Sequence, residues 1–111
     1  RDGRRLYLSD GVSEVVAERL TARGFEVQRA CGGAVAVAPL VPGVRGGLRV
    51  ARQGAISTRG RIGLLIAAEA GAIVETAAGV PFPLSIDEPA ATLVVASDPE
   101  VATTLRTALA A

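Results

Sequence analysis

The apolar and polar positions change period several times along the chain, and each change marks an element. Residues 6–9 alternate and predict a strand. Asp10 then stands as a candidate helix cap, with Val12, Val15, Val16 and Leu20 at helical spacing behind it and Gly24 as the stop. Phe25 and Val27 alternate with charged or polar neighbours, which predicts a second strand over 25–28 and an opening β-α-β unit. Residues 32–42 are apolar without a clear period. Pro39 would remove a hydrogen bond and clash inside a helix, so a short or broken helix is expected there.

Residues 48–51 predict a strand and 53–60 a loop. Residues 62–70, stopped by Gly71, read as an alanine-rich helix so apolar that burial on most sides is expected. A strand over 72–75 follows. Gly79, Pro81, Pro83 and Pro89 make 77–90 irregular. The β-branched run 92–96 predicts a central strand. The sequence Ser97-Asp98-Pro99-Glu100 sets a capping side chain before a proline in a first helical turn, and Val101, Leu105 and Leu109 then form one face of a last helix over 99–110. Strands alternating with helices predict a layered α/β domain, a mixed sheet flanked by helices. A length of 111 residues allows one modest core, so residues 1–111 are read as a single domain.

Composition changes this picture in three ways. Half the residues are hydrophobic but only 3% are aromatic, so the core must be built from Ala, Val, Leu and Ile. No apolar run reaches the roughly 18 residues of a membrane span, and a cytoplasmic setting is expected, without a membrane partner. Cys31 is the single cysteine and there is no histidine, which excludes an internal disulfide, a Cys/His nucleophile and a zinc site of Cys and His; Cys31 is expected to be a small buried hydrophobe.

All twelve basic residues are arginine, as a GC-rich coding sequence would give. Their distribution is uneven. Arg45, Arg49, Arg52, Arg59 and Arg61 occupy a stretch without acids, whereas six acids and no base lie between Ile62 and Leu105. Such a stretch is either a solvated loop or a phosphate-facing patch, since guanidinium forks match phosphate oxygens. Scarce aromatic stacking surface and a net charge of only +1 argue against nucleic acid. The turn at Ser9, Asp10 and Gly11 could offer N–H groups to an anion, although Asp10 would repel it. Asp87 and Glu88 are adjacent acids in a proline-bounded loop, where a solvated position is expected. There is no phosphate loop ending in lysine, no G-x-G-x-x-G and no Ser/His/Asp set.

In order, the pieces LYLSDG, RACGGAVAVAPLVPG, GLLIAAEAGA and TLVVASDPEVATTL resemble the C-terminal half of the magnesium-dependent, lithium-sensitive phosphatase superfamily. That superfamily includes inositol monophosphatases, fructose 1,6-bisphosphatases and 3'-phosphoadenosine 5'-phosphate phosphatases. The resemblance spans nearly the whole chain and rests on joint order, because alanine-rich helices ending in glycine are common. It implies the fold of the C-terminal domain of inositol monophosphatase-like proteins, a phosphorylated small molecule as ligand, and substrate-binding roles for Ser9, Gly32, Gly33, Arg59 and Arg61.

The departures carry more information. In the family, a Trp-Asp pair opens the helix ending in Glu-Ala-Gly-Gly, and its aspartate binds metal. Counted back from Glu69, those positions are Thr58 and Arg59, and a guanidinium cannot ligate Mg²⁺. The chain has no acid between Glu26 and Glu69, so a frame shift would not restore one. Ala36 stands where the nucleotide branch often has lysine, and the family's Asp-Pro-Ile-Asp-Gly-Thr stretch is absent. The resemblance also places a structural glutamate at Glu69, expected to be buried and hydrogen-bonded.

The expectation is a substrate-side domain with no catalytic residue, no metal ligand and no cofactor of its own, Mg²⁺ entering only with an assembled homologous enzyme. The chain begins at Arg1 and is read as the C-terminal part of a larger protein. Its expected partner is an N-terminal metal-binding half, or a second copy in a homo-oligomer. The alternatives are a non-catalytic relative that holds an anionic ligand or a protein surface, and an unrelated small α/β binding domain. Purified chain with added Mg²⁺ should release no phosphate from inositol phosphate, sugar phosphate or nucleotide 3'-phosphate, and the Arg59→Asp variant should stay equally inactive. Chelator-sensitive phosphate release by the chain alone would contradict this.

Overall fold

The computed structural model describes residues 3–50, 58–81 and 92–110. Five strands form one mixed sheet: β1 (Arg5–Leu8), β2 (Glu26–Arg29), β3 (Val44–Val50), β4 (Ile73–Thr76) and β5 (Thr92–Ala96), in the order β2-β1-β3-β5-β4. Strands β1, β2 and β3 run parallel, while β5 is antiparallel to both β3 and β4. Four helices cover the two faces: α1 (Glu14–Ala22), α2 (Gly32–Ala36), α3 (Thr58–Glu69) and α4 (Pro99–Ala110). This is the expected layered α/β architecture.

Two cores separate the layers. On one face Leu6, Leu8, Leu48 and Val94 meet Val16, Ala17 and Leu20 of α1 and Val101, Ala102 and Leu105 of α4. On the other, Leu93, Val95 and Val74 meet Ala36 of α2 and Leu64 and Ala67 of α3. Each fully buried leucine or valine contributes about 1.5–3 kcal/mol. The faces follow from the period-2 alternation of the strands, so the first core takes Leu48 and Val94, and the second takes their neighbours on β5, Leu93 and Val95.

Several expectations need correction. Asp10 does not cap the first helix. Ser9 C=O accepts from Val12 N–H (3.1 Å), so a turn must finish first, and the cap is Ser13, whose Oγ accepts from Val16 N–H (3.3 Å). The later start rotates Val15 to the surface and puts Ala17 in the core instead. The strand expected over 48–51 starts at Val44, since Gly46 and Gly47 remain paired within β3. The expected loop 53–60 lies partly outside the described residues, but Thr58, Arg59 and Gly60 belong to α3.

The broken helix over 32–42 is α2 followed by a 3-10 turn at Ala38–Leu40. Gly24 and Gly71, at φ 93° and 97°, sit just past α1 and α3, in the left-handed conformation where glycine is favoured. Irregular chain follows β4 at 77–81, and the rest of the expected irregular segment, including Asp87 and Glu88, lies outside the described residues.

Cys31 is exposed rather than buried, because it precedes α2 at the end of the edge strand β2, outside both cores. Helix α3 is not buried on most sides either. Among its described side chains it rests on the core through Leu64 and Ala67, with Ala68 partly buried beside them, and Ile62, Leu65 and Ile66 face outward. Glu69 lies on that outer face, is exposed, and makes no hydrogen bond or ion pair among the described residues, so the structural role expected for it is not present. None of the described helices is long and apolar enough to cross a membrane.

Asp98 ties the last helix to the sheet. Its Oδ1 accepts from Val101 N–H (3.0 Å) and its Oδ2 from Arg45 Nη2 (2.7 Å). The Val101 bond first, and the Arg45 bond second, hold the carboxyl below its ordinary pKa. A depressed carboxyl contributes stability that is present above the unfolded value near 4 and is lost as pH falls through the folded value. Asp98→Asn should therefore cost about 0.5–1 kcal/mol at neutral pH, a modest figure because the pair is partly solvated. Urea unfolding between about pH 7 and pH 2.5 should show that difference holding above about pH 5 and shrinking below about pH 4. A difference independent of pH would contradict the assignment.

Candidate functional site

The parallel strands β1, β2 and β3 end side by side at Leu8, Arg29 and Val50. From β1 the chain passes to α1 on one face, and from β2 to α2 on the other. Open α/β sheets take ligands where successive connections part in this way, outside the carboxyl ends of the strands. The expected substrate-binding residues Ser9, Gly32 and Gly33 all fall at this edge.

Ser9 serves the scaffold. It is buried, its Oγ accepts from Val50 N–H (2.9 Å), and its own N–H donates to Leu48 C=O (3.1 Å), which pins β1 to β3. The turn after it is closed by Arg29, whose Nη1 donates to Ser9 C=O and Val12 C=O (both 2.7 Å) and whose Nη2 reaches Glu14 (3.0 Å). With carbonyls turned inward and Glu14 in the first turn of α1, this corner does not form the anion cradle considered for Ser9, Asp10 and Gly11.

The opposite face is different. Arg49, next to last in β3, lays its guanidinium over Gly32 at the start of α2: a Cβ built on Gly32 would come 2.8 Å from Arg49 Nε and 3.0 Å from Cζ. Glycine at this position lets the guanidinium lie against the backbone, and any larger residue would displace it. Arg49 Nη1 is buried and has no hydrogen-bond partner among the described residues. Burial lowers the Arg49 pKa, partly offset by the Cys31 thiol beside it. A Cβ built on Gly33 would have no atom within 4 Å, so the surface is open at that residue. The N-terminus of α2 has no side-chain cap.

The five arginines from Arg45 to Arg61 do not make one patch. Arg45 lies at the other end of β3, where the β1 pairing slips by a residue, and is engaged by Asp98 and Ser97. Four steps along the strand separate it from Arg49, roughly 13 Å. Arg59 and Arg61 stand in the first turn of α3, with their side chains outside the described residues, and Arg52 lies outside them altogether. Arg49 belongs to the arginine stretch read as a solvated loop or a phosphate-facing patch, but not to the residues that the resemblance assigns to substrate.

Among the described residues, no group of three or more Cys, Asp or Glu comes together to hold a metal ion. Arg59, in the first turn of α3, is a guanidinium and offers no oxygen donor to Mg²⁺. Among the described residues, two larger concavities lie elsewhere. One of about 410 Å³ runs along Gly3, Pro42 and Asp98, and one of about 540 Å³ lies between α1 and β2 at Glu18, Val27 and Arg29. Neither contains Arg49 or an expected binding residue. No family model matches the chain, and no curated protein matches it significantly.

A half-buried cation with an orphaned donor costs stability that an apolar side chain of similar length would not. Arg49→Met should raise unfolding stability by about 0.5–1 kcal/mol in phosphate-free buffer, measured by urea titration. A loss of more than about 1 kcal/mol would make the guanidinium a structural group instead.

Proposed function

We propose that this chain is the substrate-side lobe of a divergent phosphatase-like protein, and that it contributes an oxyanion contact at Arg49 rather than chemistry. The observation that carries this reading is the Arg49 guanidinium, held at the carboxyl ends of the parallel strands over Gly32 with Nη1 unpartnered among the described residues. A charge kept there with no acid paired to it among the described residues is suited to a phosphate oxygen, which would accept a short, charge-assisted hydrogen bond. The ordered resemblance of four sequence pieces to the phosphatase superfamily supports the same ligand class. In this reading the metal ligands and the attacking water belong to an N-terminal half, and the ligand is a phosphorylated small molecule.

Arg59 favours a second reading within the same frame. A cation in place of a metal-binding aspartate suits a non-catalytic relative that holds the anion without hydrolysing it. Both readings share the Arg49 contact and differ in whether a metal-bearing half exists.

The contact is tested by titrating ¹⁵N-labelled chain with inorganic phosphate and with a sugar phosphate, at about 20 and 200 mM salt. Expected are saturable amide shifts centred on Gly32, Gly33 and Arg49, with a dissociation constant on the order of 1–10 mM that weakens at the higher salt. Arg49→Gln should abolish them. Small shifts spread evenly over all arginines, or shifts unaffected by Arg49→Gln, would defeat the proposal.

A further inference from the structure

The two edges of the sheet are finished differently. At β4 the chain turns back on itself: Thr76 N–H donates to Val80 C=O (2.9 Å) and Glu75 forms a bridge with Pro81, so that edge is occupied by the residues that follow it. At β2 nothing among the described residues does the same. Glu26 N–H donates to Arg4 C=O (2.7 Å) and Ala30 N–H to Leu8 C=O (3.0 Å), which directs the even-numbered residues of this edge toward β1. Val27 and Arg29 therefore turn their N–H and C=O groups off the sheet, a short ladder with no partner strand among the described residues.

Beside this ladder lies the concavity of about 540 Å³ between α1 and β2. Leu6 and Leu8 pair with Val27 and Arg29 and face α1, so the side chains of Val27 and Arg29 also stand on the α1 side. Ala17 and Val27 give the groove an apolar floor, and Glu14 and Glu18 of α1 stand along it. An open edge with a side-chain groove next to it is how a sheet takes up an extended peptide: backbone bonds hold the strand, and the groove selects its side chains.

Charge selects the occupant. Arg29 lines the groove, but its guanidinium already donates to Ser9 C=O, Val12 C=O and Glu14. Glu18 in the groove and Glu26, exposed on the opposite face of β2, make no ion pair among the described residues. An incoming strand sends alternate side chains to these two faces, so it meets a carboxylate on each. On the α1 side, an apolar floor below a carboxylate fits a long basic side chain, whose stem lies on Ala17 and Val27 while its head reaches Glu18. A second copy is disfavoured, because joining β2 to β2 would bring further carboxylates to the same seam and no unengaged cation.

We infer that β2 is a docking edge for an extended protein segment with basic residues on both of its faces, taken up as a further strand beside Val27 and Arg29. The groove lies on the α1 face and the Arg49 contact on the opposite one, so the two are independent.

The probe is a capped hexapeptide of sequence RVRRVR, which carries arginine on both faces of a strand and reads the same in either direction. Added to ¹⁵N-labelled chain, it should bind with a dissociation constant on the order of 0.5 mM at about 20 mM salt and more weakly at about 200 mM. At about 2 mM peptide, hydrogen exchange at the Val27 and Arg29 amides should slow about fivefold, whereas Gln28, already bonded to β1, should change little. The capped peptide EVEEVE should not bind. Glu18→Arg, at an exposed helix position, should leave the circular dichroism unchanged and weaken RVRRVR binding about fivefold. No binding of RVRRVR at 2 mM would overturn the inference. Binding that leaves Val27 and Arg29 exchange unchanged, that EVEEVE matches, or that ignores Glu18→Arg would overturn it equally. Self-association that protects the same amides without peptide would assign the edge to a second copy instead.

Discussion

The close approach of three strands at Gly46 and Gly47 is the constraint on which the other features depend. A Cβ at Gly47 would stand 2.4 Å from Tyr7 C=O and 3.0 Å from Val35 Cγ1, and one at Gly46 would stand 2.4 Å from Val95 C=O and 3.4 Å from Val101 Cγ1. Without side chains at these two positions, β1 and β5 both close on β3, α2 settles low on one face through Val35, and α4 settles on the other through Val101. Two residues beyond Gly47 on the same face is Arg49. The height of α2 set at Gly47 brings its first residue, Gly32, under that guanidinium. A gap in side-chain volume at the centre of the sheet thus fixes the geometry of the candidate site at its edge.

The arginines show how little can be concluded from their number. Arg4 donates to the carbonyls of Arg23 and Gly24 and lies 4.7 Å from the centre of the Phe25 ring. Arg19 reaches Ala108 C=O (2.8 Å) and links α1 to α4, Arg29 closes the turn after β1, Arg45 pairs with Asp98, and Arg106 pairs with Glu75. In a small domain with few aromatic residues, these long side chains cover apolar surface and satisfy carbonyls at helix ends and turns. Arg49 differs in kind, since it is buried enough to lose hydration and yet has a donor without a partner among the described residues.

Periodicity made the layers legible. The β-α-β opening, the central strand 92–96, the helix after Asp98 and the mixed sheet all follow from patterns that depend on nearby residues alone. What it did not reveal depends on neighbours distant in sequence. Asp10 and Ser13 are both good caps, and only the turn closed between Ser9 and Val12 decides for Ser13. An all-apolar helix reads as buried, but α3 is an outer layer with sheet on one side only, so Ile62, Leu65 and Ile66 on its other side stay exposed. Cys31 and Glu69 were misplaced for the same reason, as their exposure depends on where an edge strand and an outer helix end. At the site, Ser9 and Gly32 both lie at the carboxyl-end edge of the parallel strands, but the two arginines of the run whose side chains are described do not come together. Arg45 and Arg49 lie at opposite ends of a strand, a separation that charge counting along the chain does not register.

The central claim is that Arg49 is kept for a ligand rather than for the fold. A crystal structure obtained in the presence of phosphate tests it most directly. The account predicts a tetrahedral anion within hydrogen-bond distance of Arg49 Nη1, seated on the open side of Gly33. Arg49 Nη1 donating instead to a carbonyl or carboxylate of its own chain, with no anion beside it, would contradict the claim.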